Sequence, residues 1–294
     1  MGNLVVGGSG KTPLAAWIAS QLRARGRCVA LGSRGYGGSP RAAVHIANDG
    51  THAFESAARV GDEALLLARL APGVPVLVAR ERALAGARAI AEFGAEVLVL
   101  DDGFQHHALA RDVELVVFGS GGLGNGAVLP RGPLREPIAA LSRAHAVLVT
   151  GGVLPERDEL RIARASPQAA RFSVVREPRE LHALDARRAP EPPSALAGRE
   201  VGVISALANP RALRETVESL GARVAAERVF ADHHRYSAGD LSGLAPLAPI
   251  WITSEKDAVK IAPAWCAGAD VRVLALETSV AEPDEFLAWL EARL

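Results

Sequence analysis

Short apolar runs recur along the chain, and stretches in which the apolar residues have helical spacing follow them. In the first half the runs cover residues 4–6, 28–31, 75–78, 96–100, 114–118 and 146–149. Runs of this length, rich in Val and Leu, are typical of strands that are buried on both faces of a parallel sheet. The pattern therefore predicts an α/β fold in which helices flank a mostly parallel sheet.

The same alternation starts again in the second half, after a stretch of different composition. Residues 176–199 contain Pro178, Pro190, Pro192 and Pro193 among charged residues and show little periodicity. Proline-rich polar segments of this kind connect domains. We therefore predict a first domain at 1–175, a linker or hinge at 176–199, and a second, smaller α/β domain at 200–294.

The charge balance restricts the possible partners. The chain has 33 basic and 33 acidic side chains, so its formal net charge is zero. No overall field attracts nucleic acid or an anionic membrane, and we expect no nucleic acid as a partner. Cys28 and Cys266 have neither metal-type nor disulfide-type spacing, which indicates a reducing compartment. We expect neither a signal peptide nor a membrane-spanning helix.

The first apolar run leads into a glycine-rich loop and then a predicted helix. The loop consists of Gly7, Gly8, Ser9, Gly10, Lys11 and Thr12. Glycines allow backbone N–H groups to surround a phosphate, and the helix N-terminus adds its positive dipole. In such a P-loop the lysine reaches the β- and γ-phosphates of ATP, and the threonine hydroxyl binds Mg²⁺. Val5 stands where the common motif has a glycine, and the alternative is a glycine-rich turn without a ligand.

Acidic residues end one predicted strand and begin one predicted helix. Asp101 and Asp102 follow the fourth apolar run, and adjacent carboxylates repel each other and favour a cation. Either of them fits the Mg²⁺ partner of a P-loop, and a hydrophilic turn is the alternative. Gln105 and His106 either orient phosphate or water, or are ordinary polar residues. Asp62 begins a helix, where it is either a cap or a general base near the phosphate.

Two loops carry arginines that suit anionic groups. Arg34 lies in the glycine-rich segment 32–38, and Arg131 and Arg135 lie in the long segment 119–137. Guanidinium groups bind phosphate through two parallel hydrogen bonds, and loops of this length are uncommon unless they are functional. We therefore predict substrate contacts for these three arginines, with a surface turn as the alternative for Arg34.

The second half contains two further polar groups. Asp232 and His233 are adjacent, and a carboxylate beside an imidazole tunes its basicity, although a single histidine is more often structural. His234 follows directly and competes with His233 for any catalytic role. Residues 255–257, Glu-Lys-Asp, are interpreted as a charged turn unless the two domains close on one site.

Several of these strings together resemble one family. They are Gly-Gly-Ser-Gly-Lys-Thr-Pro at 7–13, Ser-Arg-Gly-Tyr-Gly at 33–37, Gly-Asp-Glu at 61–63, Asp-Asp-Gly-Phe-Gln-His at 101–106, Leu-Pro-Arg-Gly-Pro-Leu-Arg-Glu at 129–136, Asp-His at 232–233 and Thr-Ser-Glu-Lys-Asp at 253–257. Through them nearly the whole chain resembles the tetraacyldisaccharide 4′-kinases, the lipid A 4′-kinases of Gram-negative bacteria. The family shares the departure at Val5, and the strings at 101–106 and 129–136 are more specific than the P-loop.

The resemblance implies an activity and a set of site residues. The γ-phosphoryl group of ATP is transferred, with Mg²⁺, to the 4′-hydroxyl of a tetraacylated glucosamine disaccharide 1-phosphate, the lipid A precursor. The fold it implies is a P-loop domain hinged to a smaller second domain. The family's catalytic aspartate matches Asp62 and its partner histidine matches His233, with His234 as the competing position. Asp101 and Asp102 match the family's acidic pair near the metal.

The resemblance also implies a peripheral location on the cytoplasmic face of the bacterial inner membrane. Family members have some tens of residues before the Gly-Asn that stands here at 2–3, including a helix that holds the enzyme on the membrane. We therefore expect the N-terminal anchor to be missing from this chain, and the chain itself to be soluble.

Two other functions use similar sequence features. A nucleotide-switched partner protein has the same loop and changes shape on hydrolysis, but it does not need a base such as Asp62 with His233. A kinase or an ATP-dependent ligase with a soluble acceptor is the second alternative.

Overall fold

The chain folds into two compact units. The computed structural model describes residues 1–38, 42–52, 57–185, 188–266 and 268–294. The first unit comprises Met1–Arg176 and Thr278–Leu294, and the second comprises Glu177–Glu277. Residues 186 and 187, part of the predicted linker, lie outside the described residues.

Strands and helices alternate in both units. Up to the first passage between them, the elements are α1 (Lys11–Ala24), β1 (Val29–Ser33), β2 (Val44–Asn48), α2 (Ala57–Val60), α3 (Asp62–Leu70), β3 (Val76–Ala79), α4 (Arg82–Phe93), β4 (Val97–Leu100), β5 (Leu115–Gly119), β6 (Ala146–Thr150), α5 (Glu156–Ala165) and β7 (Ala170–Ala183). The remaining elements are β8 (Glu200–Ser205), α6 (Pro210–Ser219), β9 (Arg223–Val229), β10 (Ile250–Ser254), α7 (Glu255–Ala258), β11 (Asp270–Val280) and α8 (Pro283–Glu291). Short 3₁₀ helices cover Ile138–Arg143, Pro193–Leu196 and Pro263–Cys266. None of the helices in the described ranges has the length and apolar character needed to cross a bilayer.

The parallel strands of the first unit bring their carboxyl ends to one edge. β1 pairs with β3 and β4, and β6 pairs with β5 and β7, all in parallel. The backbone of residues 1–4 lies between β4 and β5, because the Gly103 N–H donates to the Met1 carbonyl (2.7 Å) and the Gly2 N–H donates to the Leu115 carbonyl (2.9 Å). The glycine loop therefore leaves from the middle of this edge, between two strand ends.

The strand predicted at residues 4–6 is not a strand. Gly2 forms an isolated parallel bridge with Val116, and Val5 forms an isolated antiparallel bridge with Leu134. Val5 thus pairs with a segment that runs in the opposite direction to β5, which ends the parallel ladder at the beginning of the loop. Packing explains the apolar residues at 4 and 5, since Leu4 is fully buried with Phe104 and Phe118 and Val5 packs against the same cluster, whereas Val6 is exposed.

The boundary between the units differs from the predicted linker. β7 continues as a strand through Arg176, and β11 passes back into the first unit after Glu277, so the chain changes unit inside two strands. The C-terminal helix α8, which the sequence assigned to the second domain, belongs to the first unit. Its Phe286 and Leu287 are buried in the same core cluster as Leu14 of α1. The apolar face of α8 therefore packs against α1 and against strands of the first unit, among them β7, whose Phe172 ring lies 5.0 Å from that of Phe286.

The second unit is built on parallel strands of the seven-stranded sheet β5-β6-β7-β11-β10-β8-β9 and has its own core. β10 pairs in parallel with β8 and with β11, and β8 pairs in parallel with β9. Trp251 of β10 is fully buried, and its indole N–H donates to the Leu244 carbonyl at 3.0 Å. This core fixes the carboxyl ends of β8 and β10, from which the polar segments of this unit leave.

Candidate active site

The glycine loop leads directly into α1. Gly10 adopts φ +76°, a backbone conformation that suits glycine, and among the described residues no side chain caps the first N–H groups of the helix. Ser9 is buried, and its carbonyl accepts a hydrogen bond from the Thr150 hydroxyl at the end of β6 (3.0 Å). Uncapped N–H groups behind an anchored glycine loop form the arrangement that binds phosphate.

Asp101 lies against the second residue of α1. The Thr12 hydroxyl donates to Asp101 Oδ2 at 2.7 Å, and Asp101 is only 2% exposed. Its other oxygen, Oδ1, has no hydrogen-bond partner in the described part of the chain. Burial raises the pKa of this carboxyl, and the opposing effects of the Lys11 charge and the Thr12 hydroxyl do not cancel that rise. A buried carboxylate with an unpartnered oxygen is a site that favours a cation.

The donor set at this point fits Mg²⁺. In the described ranges no three His, Cys, Asp or Glu side chains form a metal site by themselves. Mg²⁺ is usually bound by one or two protein oxygens, with phosphate oxygens and water completing its octahedron. The Thr12 hydroxyl and the Asp101 carboxylate provide such a partial ligand set beside a phosphate-binding loop.

Asp102 has a different environment from its neighbour. Its Oδ1 lies 3.5 Å from Lys11 Nζ, and its two oxygens accept from Arg135 Nη1 at 2.9 and 2.8 Å. Burial raises the pKa of Asp102, but the Lys11 charge and the Arg135 hydrogen bonds outweigh burial and hold the pKa below its ordinary value. The negative charge of Asp102 is therefore balanced by Lys11 and Arg135, and Asp102 links the P-loop lysine to that arginine.

The second half of segment 119–137 is attached to the residues that precede the glycine loop. The Arg135 N–H donates to the Leu4 carbonyl and the Val6 N–H donates to the Pro133 carbonyl, both at 2.8 Å. Gln105 joins the same region, because its Nε2 donates to the Asn3 carbonyl (3.1 Å) and to Glu136 (3.0 Å). The structure thus brings Gln105 and Arg135 together at Asp102.

The other predicted substrate residues lie further from Asp102 or are more exposed. The Arg131 side chain is exposed. Its backbone carbonyl accepts from Asn125 Nδ2 of the same loop at 2.8 Å. Arg34 is exposed after β1, and its positive charge is close enough to lower the pKa of both Arg82 and His106. Arg34 and Arg82 therefore form one positively charged region, and His106 lies beside it.

Two residues of the site were not identified from the sequence. Burial, together with the charges of Asp101 and Asp62, raises the pKa of Glu63 to about 7. Arg82 is 3% exposed, and burial and the Arg34 charge lower its pKa. Glu63 is in a first helical turn, where an acidic residue is typical of a cap, so its sequence position gave no separate signal.

Asp62 is positioned by a glycine and a neighbouring loop. It is 6% exposed, begins α3, and its Oδ1 accepts from the Glu63 N–H at 3.0 Å. Gly61 adopts φ +88°, and a Cβ at this position would overlap the carbonyl oxygen of Tyr36. The loop that carries Tyr36 therefore packs directly on the backbone that presents Asp62.

The two candidate histidines of the second unit have different surroundings. The His234 ring stacks on Phe230, with 4.5 Å between the ring centroids, and its Nε2 lies 3.2 Å from Asp240. His233 has φ +59°, its N–H donates to Asp232 Oδ1 at 3.0 Å, and its Nε2 is 3.7 Å from Asp232 Oδ2. His234 is fixed by an aromatic ring and an acidic neighbour, whereas His233 lies against the carboxylate of the preceding residue.

Known proteins are similar to this chain over most of its length. The family model of the tetraacyldisaccharide-1-P 4′-kinases matches residues 1–294. A tetraacyldisaccharide 4′-kinase of Anaeromyxobacter dehalogenans (strain 2CP-C) is 46% identical over 282 residues, which are 93% of this chain and 74% of that protein. One from Rhodospirillum centenum is 42% identical over 292 residues, 97% of this chain and 79% of that protein.

A solved structure confirms the predicted fold class. It is described as the "apo" form of LpxK from Aquifex aeolicus in complex with ATP, and it aligns with a TM-score of 0.76 at 28% identity. The alignment covers 99% of this chain and 86% of that one. The predicted P-loop α/β fold and the resemblance of the sequence strings are thereby confirmed, and the chain belongs to the tetraacyldisaccharide-1-P 4′-kinase family.

Proposed function

We propose that this chain transfers the γ-phosphoryl group of ATP to the 4′-hydroxyl of a tetraacyldisaccharide 1-phosphate, a step of lipid A biosynthesis. Family membership supports the reaction, and the ATP complex of the aligned structure supports the nucleotide. The single observation that carries the proposal is the 2.7 Å contact between Thr12 and buried Asp101 at the start of α1. It joins a phosphate loop to a carboxylate at a strand end, which is the machinery of phosphoryl transfer.

The nucleotide side of the reaction is assigned to the first unit. The loop N–H groups and Lys11 bind the phosphates, and Thr12 and Asp101 would hold Mg²⁺. When bound, Mg²⁺ neutralises charge on the phosphates. Between the two adjacent aspartates, the geometry favours Asp101 for the metal, because Asp102 already accepts from Arg135 and contacts Lys11.

The acceptor side needs a base for the sugar hydroxyl. Asp62 is proposed for this role, because it is buried at the start of α3 and its presentation depends on the special backbone of Gly61. His233 is favoured over His234 as the histidine of the reaction, since the ring of His234 is held by Phe230 and Asp240. Asp62 and His233 belong to different units, and their partnership remains a prediction from the resemblance.

Positive side chains are proposed to bind the anionic groups of the substrates. Arg34 and Arg82 form one positively charged region with His106 beside it, which suits a phosphate such as the 1-phosphate of the acceptor. Arg131 is exposed, and its contact with a substrate stays a prediction. Gln105 and Arg135 are assigned to holding Asp102. A tetraacylated acceptor lies in a membrane, so we propose that the enzyme works peripherally on the cytoplasmic face of the inner membrane.

The test is ATP turnover in detergent micelles with and without a tetraacyl disaccharide 1-phosphate. We expect ADP release that requires the lipid and falls by about 10²–10⁴-fold in Asp62→Asn, the range of general acid–base contributions. Asp284→Asn is the matched control, because that side chain is 96% exposed in α8 and should leave turnover unchanged.

The other outcomes would support the rival functions. ADP release that is indifferent to the lipid would contradict a lipid kinase and favour a nucleotide switch. Equal turnover with a deacylated, water-soluble disaccharide 1-phosphate would instead favour a kinase whose acceptor is soluble.

A further inference from the structure

A charged pair of the second unit lies beside His233. Lys256 Nζ is 2.9 Å from Asp232 Oδ1, and the same oxygen accepts from the His233 N–H at 3.0 Å. The other oxygen of Asp232 lies 3.7 Å from His233 Nε2. One carboxylate thus contacts the backbone of the histidine and faces its ring while it is held by a lysine 24 residues further along the chain.

The backbone of His233 requires support. Its φ of +59° lies in the left-handed region, which residues other than glycine rarely adopt. A hydrogen bond from its own N–H to the Asp232 carboxylate stabilises that conformation, much as an Asx turn does. The direction of the histidine side chain therefore depends on where the Asp232 carboxylate is held.

Lys256 projects from a well-fixed short helix. α7 begins at Glu255, and the hydroxyl of its N-cap residue Ser254 accepts from the Asp257 N–H at 3.1 Å. Asp257 is fully buried, and its Oδ2 accepts from the Ala206 N–H at 3.1 Å. These bonds connect α7, which carries Lys256, to the end of β10 and to the residue that follows β8. The position of Lys256 is therefore well defined, and its contact with Asp232 can hold the loop at 232–233 in place.

We propose that Lys256 and Asp232 are positioning residues for His233. Lys256 fixes the Asp232 carboxylate, and that carboxylate fixes the backbone and the ring of His233 for its part in phosphoryl transfer. The inference rests on the proposed function, in which His233 takes part in the reaction. It gives a role to the Glu-Lys-Asp segment, which was predicted as a charged turn and is the start of helix α7 in the structure.

The competing explanation is an ordinary surface ion pair. Lys256 and Asp232 have side-chain exposures of 21% and 33%, and pairs of this kind commonly contribute little to stability. Such a pair has no effect on kcat, whereas a pair that positions His233 does. Kinetics therefore separate the two explanations.

The experiment measures kcat and KM for Lys256→Gln and Asp232→Asn, each alone and in a His233→Ala background. Positioning predicts that each single change lowers kcat about tenfold or more, part of the contribution of a general acid–base group, while KM for ATP is unchanged. In the His233→Ala background neither change should lower kcat further, because the residue through which both act is absent. Lys256→Arg, which keeps the charge, should restore most of the rate.

A second ion pair of the same unit provides the control. Arg223 and Glu200 are paired at the exposed ends of β9 and β8, and Arg223→Gln and Glu200→Gln should leave kcat unchanged. Thermal melting of every variant identifies loss of folding, which would lower kcat and the amount of active enzyme together. The Asp232→Asn change conserves shape, so its fold is expected to persist.

The possible results separate the inference from the function on which it rests. If His233→Ala lowers kcat but Asp232→Asn and Lys256→Gln do not, only the positioning role is overturned. The same holds if their effects add to that of His233→Ala. If His233→Ala itself leaves kcat unchanged, the role of His233 in the proposed function is overturned, and the positioning role with it.

Discussion

The two units each place an aspartate beside a lysine, but in opposite electrostatic situations. In the first unit Asp101 is 2% exposed, has one oxygen without a described partner, and shares its surroundings with the carboxylates of Asp102 and Glu63. In the second unit the side chain of Asp232 is 33% exposed and its Oδ1 accepts from Lys256 at 2.9 Å. The negative charge of Asp101 and Glu63 is only partly offset by nearby cations, whereas the negative charge of Asp232 is balanced by Lys256.

The difference indicates what each region is built to do. Crowded, buried carboxylates cost stability in the ionised form and become favourable only when a cation arrives. An ion pair in contact with water has almost no such cost, and it can fix the orientation of a neighbouring side chain instead. The first region is therefore suited to binding metal and nucleotide, and the second to orienting a side chain. The three predictions below test this contrast.

The largest effect is expected when the Asp101 carboxylate is neutralised. Asp101→Asn should lower kcat by about 10³-fold, because the group that would hold Mg²⁺ is lost. The melting temperature without ligand should stay equal or rise, since a buried charge disappears while an oxygen remains to accept from Thr12. Kinetics and thermal melting with and without Mg²⁺·ATP check both parts.

A control and a contradictory result can be stated for this change. Asp284→Asn, at an exposed position, should alter neither quantity. The mutant should also lose most of the rise in melting temperature that Mg²⁺·ATP gives the wild type, because ligand binding to the folded state is weakened. An inactive mutant that melts much earlier without ligand would mean that Asp101 is a structural residue, and the contrast between the units would fail.

An intermediate effect is expected in the pH dependence of stability. The pKa of Glu63 is raised to about 7 in the folded protein, so the folded state binds a proton more tightly than the unfolded state. The free energy of unfolding should therefore fall as pH rises from about 4.5 to 7 and remain low above that, by at most about 3 kcal/mol. Urea unfolding of metal-free protein at pH 5 and pH 8 measures this loss.

Comparison with a neutral side chain isolates the contribution of Glu63. In Glu63→Gln the difference between the two pH values should shrink by that amount, because glutamine does not titrate. Other groups titrate in the same range, so only the difference between the two proteins is informative. Parallel pH profiles for wild type and mutant would show that solvent reaches Glu63 and that the carboxylates are not crowded.

The sequence predicted the features that depend on neighbouring residues. The Gly-Lys-Thr loop, the apolar run that became β4 and the acidic residues after it are local patterns, in which spacing and residue type are sufficient. The family resemblance added the chemistry. In contrast, α8 was assigned to the wrong unit. Its sequence shows an apolar face but gives no information about which elements pack against that face.

The electrostatics of the site depended on distant contacts and could not be predicted. Arg131 and Arg135 are four residues apart in the same loop, yet only Arg135 contacts Asp102 in the structure. The raised pKa of Glu63 arises from burial and from Asp101, almost forty positions away along the chain. His233 and His234 are adjacent in sequence, yet Phe230 and Asp240 pack on the second of them, while the first lies against Asp232.

The smallest effect is expected in the stability of the second unit. Lys256→Ala removes a partly exposed ion pair and should lower the free energy of unfolding by only about 0.2–1 kcal/mol. Asp257→Ala, one residue further on, removes a fully buried carboxylate that lies 3.0 Å from Lys260 and should cost about 3–5 kcal/mol. Urea unfolding compares the free energies of unfolding of the two variants.

A small loss of stability in Lys256→Ala together with a large loss of kcat would mean that the Lys256–Asp232 pair serves to orient His233. If the two mutants were equally unstable, the pair at Asp232 would be part of the structural core of its loop, and the balance of charges in the second unit would serve folding instead.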